Sequence, residues 1–314
     1  MAETEVTLNR PLKKRKKKMA TEDVIFYIFN TIFLLLFALV TLYPILNTLA
    51  YSFNEGNDAV RGGIHFLPRK FATKNYETVF AKESIWIALR ITILRTILGT
   101  LTSLFANALL SYILSRKKFL FKSSLSLFWI ITMYASGGLI PTMVLFRYLH
   151  LTSSFWVYVI PGMVSAFNVM VMRTYMGGIP ESLEESAMLE GAGYMTVFAK
   201  IISPLCKPVY ATIALFVAVY HWNAWFDAML YNRMDPQYTT LQYELMKLLD
   251  NVSTATSGQV SAQQAAQTGG ASVTVTPMTV RAAATIATMA PIIALYPFLQ
   301  RYFVTGLTIS GVKE

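Results

Sequence analysis

Long apolar stretches without charge alternate with short polar segments along the chain. A helix needs about 20 mainly apolar residues to cross the roughly 30 Å hydrocarbon layer of a bilayer. Six segments meet this requirement, namely residues 24–54, 84–115, 123–146, 152–172, 209–230 and 282–300. The pattern therefore predicts an all-α integral membrane protein with six transmembrane helices.

Glycine and proline residues interrupt the third predicted span. It includes the sequence SGGLIP, with Gly137, Gly138 and Pro141. Proline removes a backbone hydrogen bond and clashes with the preceding helical turn, so it bends a helix. We therefore expect a kink in span three, which would suit either a moving gate or close helix packing.

Composition supports a membrane location. The chain has 314 residues, of which 54% are hydrophobic and 14% are charged. A typical soluble domain carries about 25% charged residues. The deficit of charge therefore excludes an ordinary soluble protein and agrees with the apolar spans.

Two basic clusters account for most of the net charge of +10. Seven Lys or Arg lie between Arg10 and Lys18, and four lie between Arg116 and Lys122. Both clusters flank uncharged spans, and loops rich in Lys and Arg stay on the cytoplasmic side of a membrane. We interpret them as cytoplasmic anchors rather than as a nucleic-acid site, with residues 1–23 as a basic arm before a transmembrane domain over 24–314.

The span count and the basic clusters predict one topology. Both termini and the segment 177–208 fall on the cytoplasmic side, whereas loops at about 55–83 and 231–280 fall outside. Residues 252–280 are rich in Ser, Thr, Gln, Ala and Gly. This composition favours a flexible loop, and docking of an external partner is the alternative interpretation.

Metal and disulfide chemistry are not expected. Cys206 is the single cysteine, so an intramolecular disulfide is impossible. The three histidines, His65, His150 and His221, have no second ligand at metal spacing. A G-x-x-x-x-G-K-[ST] phosphate loop is also absent from the sequence, so we expect no ATP site of that kind on this chain.

The polar segment IPESLEESAMLEGAG predicts a short acidic helix between spans four and five. Pro180 suits the first helical position, and Gly191 or Gly193 suits a left-handed end, which gives about 11 residues. Leu183, Ala187 and Gly191 recur every fourth residue and share one face that another backbone can approach closely. A helix lying on lipid would present a basic polar face, so the acidic face favours a protein socket.

This segment carries a family resemblance. EESAMLEGAG followed by IISPLCKP resembles the EAA motif of permease subunits in ATP-binding-cassette importers. LPRKFATKNYETVF, SGGLIPTMVLF, HWNAWFDA and YPFLQRYFVTG are similar to further blocks of the maltose-type inner-membrane components, in the branch for complex oligosaccharides and polysaccharides. The resemblance covers nearly all of residues 66–313. Ser186 and Glu190 depart from the usual alanine and aspartate of the motif.

The resemblance implies that the acidic helix is a coupling helix, which docks in a groove of a separate ATPase. The residues that it assigns to this coupling are Glu184, Glu185, Ser186, Ala187, Glu190, Gly191, Ala192 and Pro204. It also implies a second, different permease subunit, an ATPase dimer that binds ATP and Mg²⁺, and an extracytoplasmic solute-binding protein. The chain itself would bind no cofactor and would not be an enzyme. Its place would be the bacterial cytoplasmic membrane.

Polar residues within spans are candidates for a substrate path. They are Arg95, Tyr134, Asn168, Trp222 and Asn223. Arg95 would pair with the carboxylate of an acidic sugar such as a uronate, or would instead bind backbone carbonyls or a second permease. Trp222 and Asn223, with the nearby Trp225, would contact a sugar ring, although aromatic residues near a span end also form interfacial belts.

Two other function classes compete with the importer. An ion-coupled secondary sugar transporter would favour a relay of intramembrane acids or histidines. His221 and Asp227 are six residues apart and do not face each other on one helix. A membrane enzyme would show a nucleophile with its base or a metal pair, and the sequence shows neither pattern.

Overall fold

A computed structural model describes residues 21–135, 137–257 and 275–309. The predicted basic arm lies outside the described residues except for 21–23, which begin the first helix. Most of the 252–280 segment also lies outside them, so its predicted flexibility stays a prediction.

The described residues form helices and no β-strand, which confirms the all-α fold class. Short 3-10 turns at Phe155–Tyr158 and Pro236–Tyr238 and a π-helical turn at Phe198–Ile202 join longer elements. The α-helices are Thr21–Ser52 (α1), Gly56–Val60 (α2), Lys74–Phe80 (α3), Glu83–Ser115 (α4), Lys122–Tyr134 (α5), Leu139–Tyr148 (α6), Ala166–Gly177 (α7), Ser182–Leu189 (α8), Tyr194–Val197 (α9), Ser203–Leu205 (α10), Lys207–Asn223 (α11), Phe226–Tyr231 (α12), Leu241–Ser257 (α13) and Pro277–Ile309 (α14).

Three helices among the described residues are long and apolar enough to cross a membrane. They are α1, α4 and the part of α14 at Pro277–Ala294. The number rises to five if two bent pairs each form one span, α5 with α6 and Tyr194–Leu205 with α11. The predicted count of six spans is therefore not confirmed.

The interruption in predicted span three is a sharp break. Helices α5 and α6 meet at 114°, and Gly138 has a φ of +84° at the start of α6. Glycine adopts this conformation without the steric penalty of a Cβ atom. The expected bend at Gly137, Gly138 and Pro141 is present, and it divides the span into two helices.

Predicted span four is not one helix. The 3-10 turn Phe155–Tyr158 is separated from α7 by a turn that contains Pro161 and Gly162. Helix α7 begins after Ser165, whose hydroxyl accepts a hydrogen bond from the Asn168 backbone N–H at 3.5 Å. The turn was not predicted from the apolar sequence of residues 152–172, because hydropathy alone does not distinguish a continuous helix from a broken one.

Helix α4 lies at the centre of the bundle and packs against α7 and α11. Its contact with α11 is close at Gly99, where an added Cβ atom would lie 2.3 Å from the Nε2 atom of His221. Small residues permit such an approach between membrane helices. Helix α4 therefore runs beside most elements that carry candidate functional residues.

The two ends of the bundle are built differently. At the end where α4 stops, here called the basic end, the segment 116–122 meets α8. At the opposite end, α13 packs against α4 and α14. Residues 241–257 form an amphipathic helix, although they were predicted to lie in a loop. The buried or half-buried leucines of this helix are Leu241, Leu245, Leu248 and Leu249.

Candidate functional site

Helix α8 is the predicted acidic helix, and it has eight residues rather than about 11. Its first helical residue is Ser182, so Pro180 lies two positions before it. Gly191 has a φ of +88°, and the Ala192 N–H donates to the Ala187 carbonyl at 2.9 Å. The predicted left-handed end at Gly191 is confirmed, and the helix is shorter mainly because it begins at Ser182 and not at Pro180.

The Ala187 side chain of α8 points into the chain's own bundle. Ala187 is buried in a cluster with Tyr112 of α4, Met176 of α7 and Phe198. The sequence predicted that a partner could approach the face containing Ala187, whereas this side chain packs against the chain's own bundle. Its predicted role in ATPase coupling stays a prediction. The small side chain instead lets α8 lie close to its own bundle, because a larger one would push the helix away.

Glu184 fixes α8 to α4, a role that the sequence analysis missed. Its Oε2 atom accepts a hydrogen bond from Arg116 Nη1, and its Oε1 atom accepts one from the Tyr112 hydroxyl at 3.4 Å. Arg116 also donates from Nη2 to the Met176 carbonyl at 3.3 Å, and its guanidinium lies 5.0 Å from the centre of the Tyr112 ring. We call the Glu184–Arg116 ion pair the latch.

A second ion pair joins the same two segments at the surface. Lys117 Nζ lies 3.0 Å from Glu181 Oε2, and the two side chains are 78% and 46% exposed. Exposed pairs contribute about 0–1 kcal/mol, whereas removal of one partner of a buried pair costs roughly 3–5 kcal/mol. The latch is nearly buried, so the loss of one of its partners should cost more than the loss of the surface pair.

Exposed residues in the C-terminal half of α8, with the residue that follows it, form a surface that we call the outer face. It consists of Glu185, Ser186, Leu189 and Glu190. Leu189 is 91% exposed, and Glu185 forms no ion pair with another described residue. Of the other predicted coupling residues, Gly191 and Pro204 are exposed and Ala192 is half-buried. An acidic surface with an apolar tip can dock on a protein groove that contains a basic residue.

Arg95 is 0% exposed and its charge is balanced within the chain. Its Nη1 and Nη2 atoms donate to Asp227 Oδ1 and Oδ2 at 3.2 and 2.5 Å. Nη1 also donates to the Ala224 carbonyl at 3.2 Å, and the guanidinium lies 4.3 Å from the centre of the Tyr158 ring. The structure thus places Arg95 in a structural ion pair and not at an open surface.

A cavity of about 610 Å³ lies beside this ion pair, near the C-terminal end of α11. We call it the aromatic recess. Its lining residues are Leu139, Phe146, Val157, Tyr158, Pro161, Gly162, Val219, Tyr220, Asn223, Ala224, Trp225, Phe226, Asp227 and Tyr231. The break between α11 and α12 opens this space, because the chain leaves the helical path at Ala224.

The five predicted path residues do not come together. Asn223 lines the recess, and Arg95 does not line it but binds Asp227, which does. Trp222 is buried and donates from Nε1 to the Thr288 carbonyl at 3.1 Å. Asn168 is buried in the first turn of α7, and Tyr134 is 86% exposed at the end of α5.

Asp227 was not named as a path residue, although the sequence held a signal for it. It is the only charged residue in predicted span five, and Arg90 and Arg95 are the only charges in predicted span two. Opposite charges within a membrane domain tend to pair. Among the described residues, no group of three or more His, Cys, Asp or Glu side chains could hold a metal ion.

Comparison with known proteins identifies relatives over most of the chain, although no family model matches. The polygalacturonan/rhamnogalacturonan transport system permease protein YtcP of Bacillus subtilis is 32% identical over 90% of this chain and 96% of its own length. Protein LplC of the same organism is 32% identical over 92% of this chain and 95% of its own.

A solved structure is also similar. It is the crystal structure of a bacterial ABC transporter involved in the import of the acidic polysaccharide alginate. The TM-score is 0.81 at 30% sequence identity, and the match covers 92% of this chain and 100% of the other. These relatives confirm the resemblance found in the motifs. The chain belongs to the permease proteins of ATP-binding-cassette transport systems for oligosaccharides and polysaccharides.

Proposed function

We propose that this chain is a transmembrane subunit of an ATP-driven, binding-protein-dependent importer of oligosaccharides in the bacterial cytoplasmic membrane. It forms the translocation path with a second permease subunit and draws on a separate ATPase dimer, which binds ATP and Mg²⁺. The observation that carries this proposal is α8: its inner face is fixed to the bundle by the latch, while its outer face is exposed and acidic.

The coupling mechanism follows from this two-sided arrangement. ATP binding closes the ATPase dimer and moves α8, which is docked on it through the outer face. Glu185 pairs with a basic residue of the ATPase groove. The latch then passes the displacement to α4. Reversal of a two-state population from 1:99 to 99:1 needs about 5.5 kcal/mol. The contact of the outer face with the ATPase and the latch must both stay intact while this free energy is transmitted.

The charge distribution supports an orientation. Arg116, Lys117, Lys118 and Lys122 lie at the basic end, where Arg116 pairs with Glu184 and Lys117 with Glu181. Lys and Arg in short loops stay in the cytoplasm. We therefore assign the basic end and both termini to the cytoplasmic side, and the recess and α13 to the external half.

We propose that the cargo includes acidic oligosaccharides. One relative is named for polygalacturonan, whose sugar units are uronates, and the similar solved structure belongs to an importer of alginate. Both polymers carry a carboxylate on their sugar units. We propose the same class of cargo for this chain by analogy with these two proteins.

Reconstitution tests the proposal. The chain is co-expressed with a second permease and an ATPase of the same type, and the complex is placed in proteoliposomes with a solute-binding protein. Co-purification of the ATPase and ATP-dependent uptake of oligogalacturonides are expected. Uptake by the chain without any ATPase, driven by an ion gradient, would contradict the importer and favour a secondary transporter.

A further inference from the structure

We infer that the aromatic recess is a binding subsite for a pyranose ring of the transported oligosaccharide, and that it recognises the ring and its hydroxyl groups and not a carboxylate. The inference rests on the proposed function, since it assigns a site on the path of the proposed cargo. Four observations carry it: the walls of the recess, its floor, its rim and its charge.

The walls are aromatic and the volume is suitable. Six aromatic side chains line the recess, namely Phe146, Tyr158, Tyr220, Trp225, Phe226 and Tyr231. Sites for small molecules have volumes of about 300–1,000 Å³ and combine apolar walls with a few polar groups, and the recess has about 610 Å³. A pyranose ring presents an apolar face of C–H groups, which packs on the face of an aromatic ring.

The floor offers a hydrogen-bond acceptor held in one position. Asp227 is 22% exposed at its side chain. Its Oδ1 atom accepts from Arg95 and from the Ala228 N–H, and its Oδ2 atom accepts from Arg95. A carboxylate has about four acceptor positions, so one position on Oδ2 remains for a sugar hydroxyl. Because Arg95 holds both oxygens, this acceptor keeps its direction when the ring enters.

The rim contributes an amide. Asn223 is exposed, and its Oδ1 atom accepts a hydrogen bond from Gln242 Nε2 at 3.2 Å. Its Nδ2 atom donates to the Val219 carbonyl at 2.9 Å. An amide has two donor hydrogens and two acceptor positions, so Asn223 retains one of each for hydroxyl groups.

The charge of the recess argues against recognition of a carboxylate. Asp227 is the only charged residue among those that line it, and the buried Arg95 balances that charge. A bound uronate would find no cation among the described residues of this wall. An acidic cargo therefore gains its charge selection elsewhere along the path, and this recess accepts acidic and neutral rings alike.

Protection of an engineered cysteine tests the subsite in the assembled complex. Cys206 is buried, so the unmodified chain should react slowly with maleimide. The reporter is Val219→Cys in the recess, and the matched control is Lys74→Cys on the exposed surface of α3. Trigalacturonate and its methyl ester are the probes, since esterification removes the charge and keeps the rings. The measurement needs neither ATP nor the binding protein.

Both probes should slow labelling of Val219→Cys and leave labelling of Lys74→Cys unchanged. Adding Trp225→Ala to the reporter should raise the half-protecting concentration of both probes about tenfold, which corresponds to 1.4 kcal/mol, and Trp225→Phe should restore most of the protection. Unprotected Val219→Cys, or protection by the acid alone, would overturn the inference. Such a result would leave the importer intact if the same complex still showed ATP-dependent uptake.

Discussion

Glu184 and Glu185 are adjacent in the sequence and lie on different faces of α8. Glu184 is buried against Arg116 and Tyr112, whereas Glu185 is exposed on the outer face. The motif resemblance assigned both to contact with an ATPase. The geometry separates them, because only Glu185 can reach a partner without disrupting the bundle.

We expect Glu184→Gln to uncouple transport from ATP hydrolysis. The change leaves the Arg116 guanidinium without its counter-charge, which costs roughly 3–5 kcal/mol for a buried pair. Uptake in proteoliposomes should fall at least tenfold while the ATPase still co-purifies. Glu181→Gln, in the exposed pair with Lys117, is the matched control and should transport normally.

Charge exchange distinguishes the latch from simple packing. The double variant Glu184→Arg with Arg116→Glu restores an ion pair of reversed polarity, so it should recover part of the uptake that either single change loses. Equal loss in the double variant and in both single variants would argue that the latch does not transmit force.

Glu185→Lys should block transport for a different reason. The chain should insert and purify normally, because Glu185 makes no ion pair within the described bundle. A lysine would face the basic residue that we expect in the ATPase groove, and like charges repel. Loss of ATPase co-purification or of uptake is the expected result, and normal uptake would remove Glu185 from the coupling mechanism.

Substitutions at Gly191 test whether the backbone conformation or the available space limits which residue this position accepts. Its φ of +88° is unfavourable for other residues, and no atom lies within 4 Å of an added Cβ. A left-handed conformation costs roughly 1–2 kcal/mol for a residue with a Cβ. We expect Gly191→Ala and Gly191→Leu to lower the unfolding temperature equally, and Gly191→Asn to lower it less. A much larger effect of leucine on uptake alone would show a steric limit at the docked ATPase.

At the scale of the elements, the sequence predicted the long helices well and the breaks poorly. Helices α1 and α4 begin and end within a few residues of the predicted spans. The single helix predicted over residues 152–172 is wrong because a proline–glycine turn lies inside this apolar stretch. Helix α13 was missed because it lies next to a low-complexity segment, although its leucines recur at helical spacing.

Helix α13 should contribute measurably to stability. Leu245 is buried against the α4 and α14 side of the bundle, and a buried Leu→Ala change costs about 2–5 kcal/mol. We expect Leu245→Ala to lower the unfolding temperature of the purified chain, measured by circular dichroism. Gln242→Ala on the same helix is the control and should change it little. Equal effects of the two changes would mean that α13 is not anchored through its leucines.

At the scale of the whole molecule, the family could be read from the sequence, whereas neither ion pair was predicted from it. Arg116 and Glu184 are 68 residues apart, and Arg95 and Asp227 are 132 apart. Residues this distant meet only when the helices are assembled. The predicted topology placed Arg116 and Glu184 at the same end of the bundle. It did not indicate that Arg116 would pair with Glu184 and not with Glu185.

Helix α4 connects the two sites, since the latch lies at its C-terminal end and Arg95 lies about 32 Å away along its axis. It has 33 residues and contains no proline, unlike α1 and α14. Sharp kinks are common at proline, so we expect the two ends of this continuous helix to move together. The signals of spectroscopic probes at the two ends should therefore change with a common rate constant after ATP is added. Two separate phases would mean that the two ends of α4 move at different times.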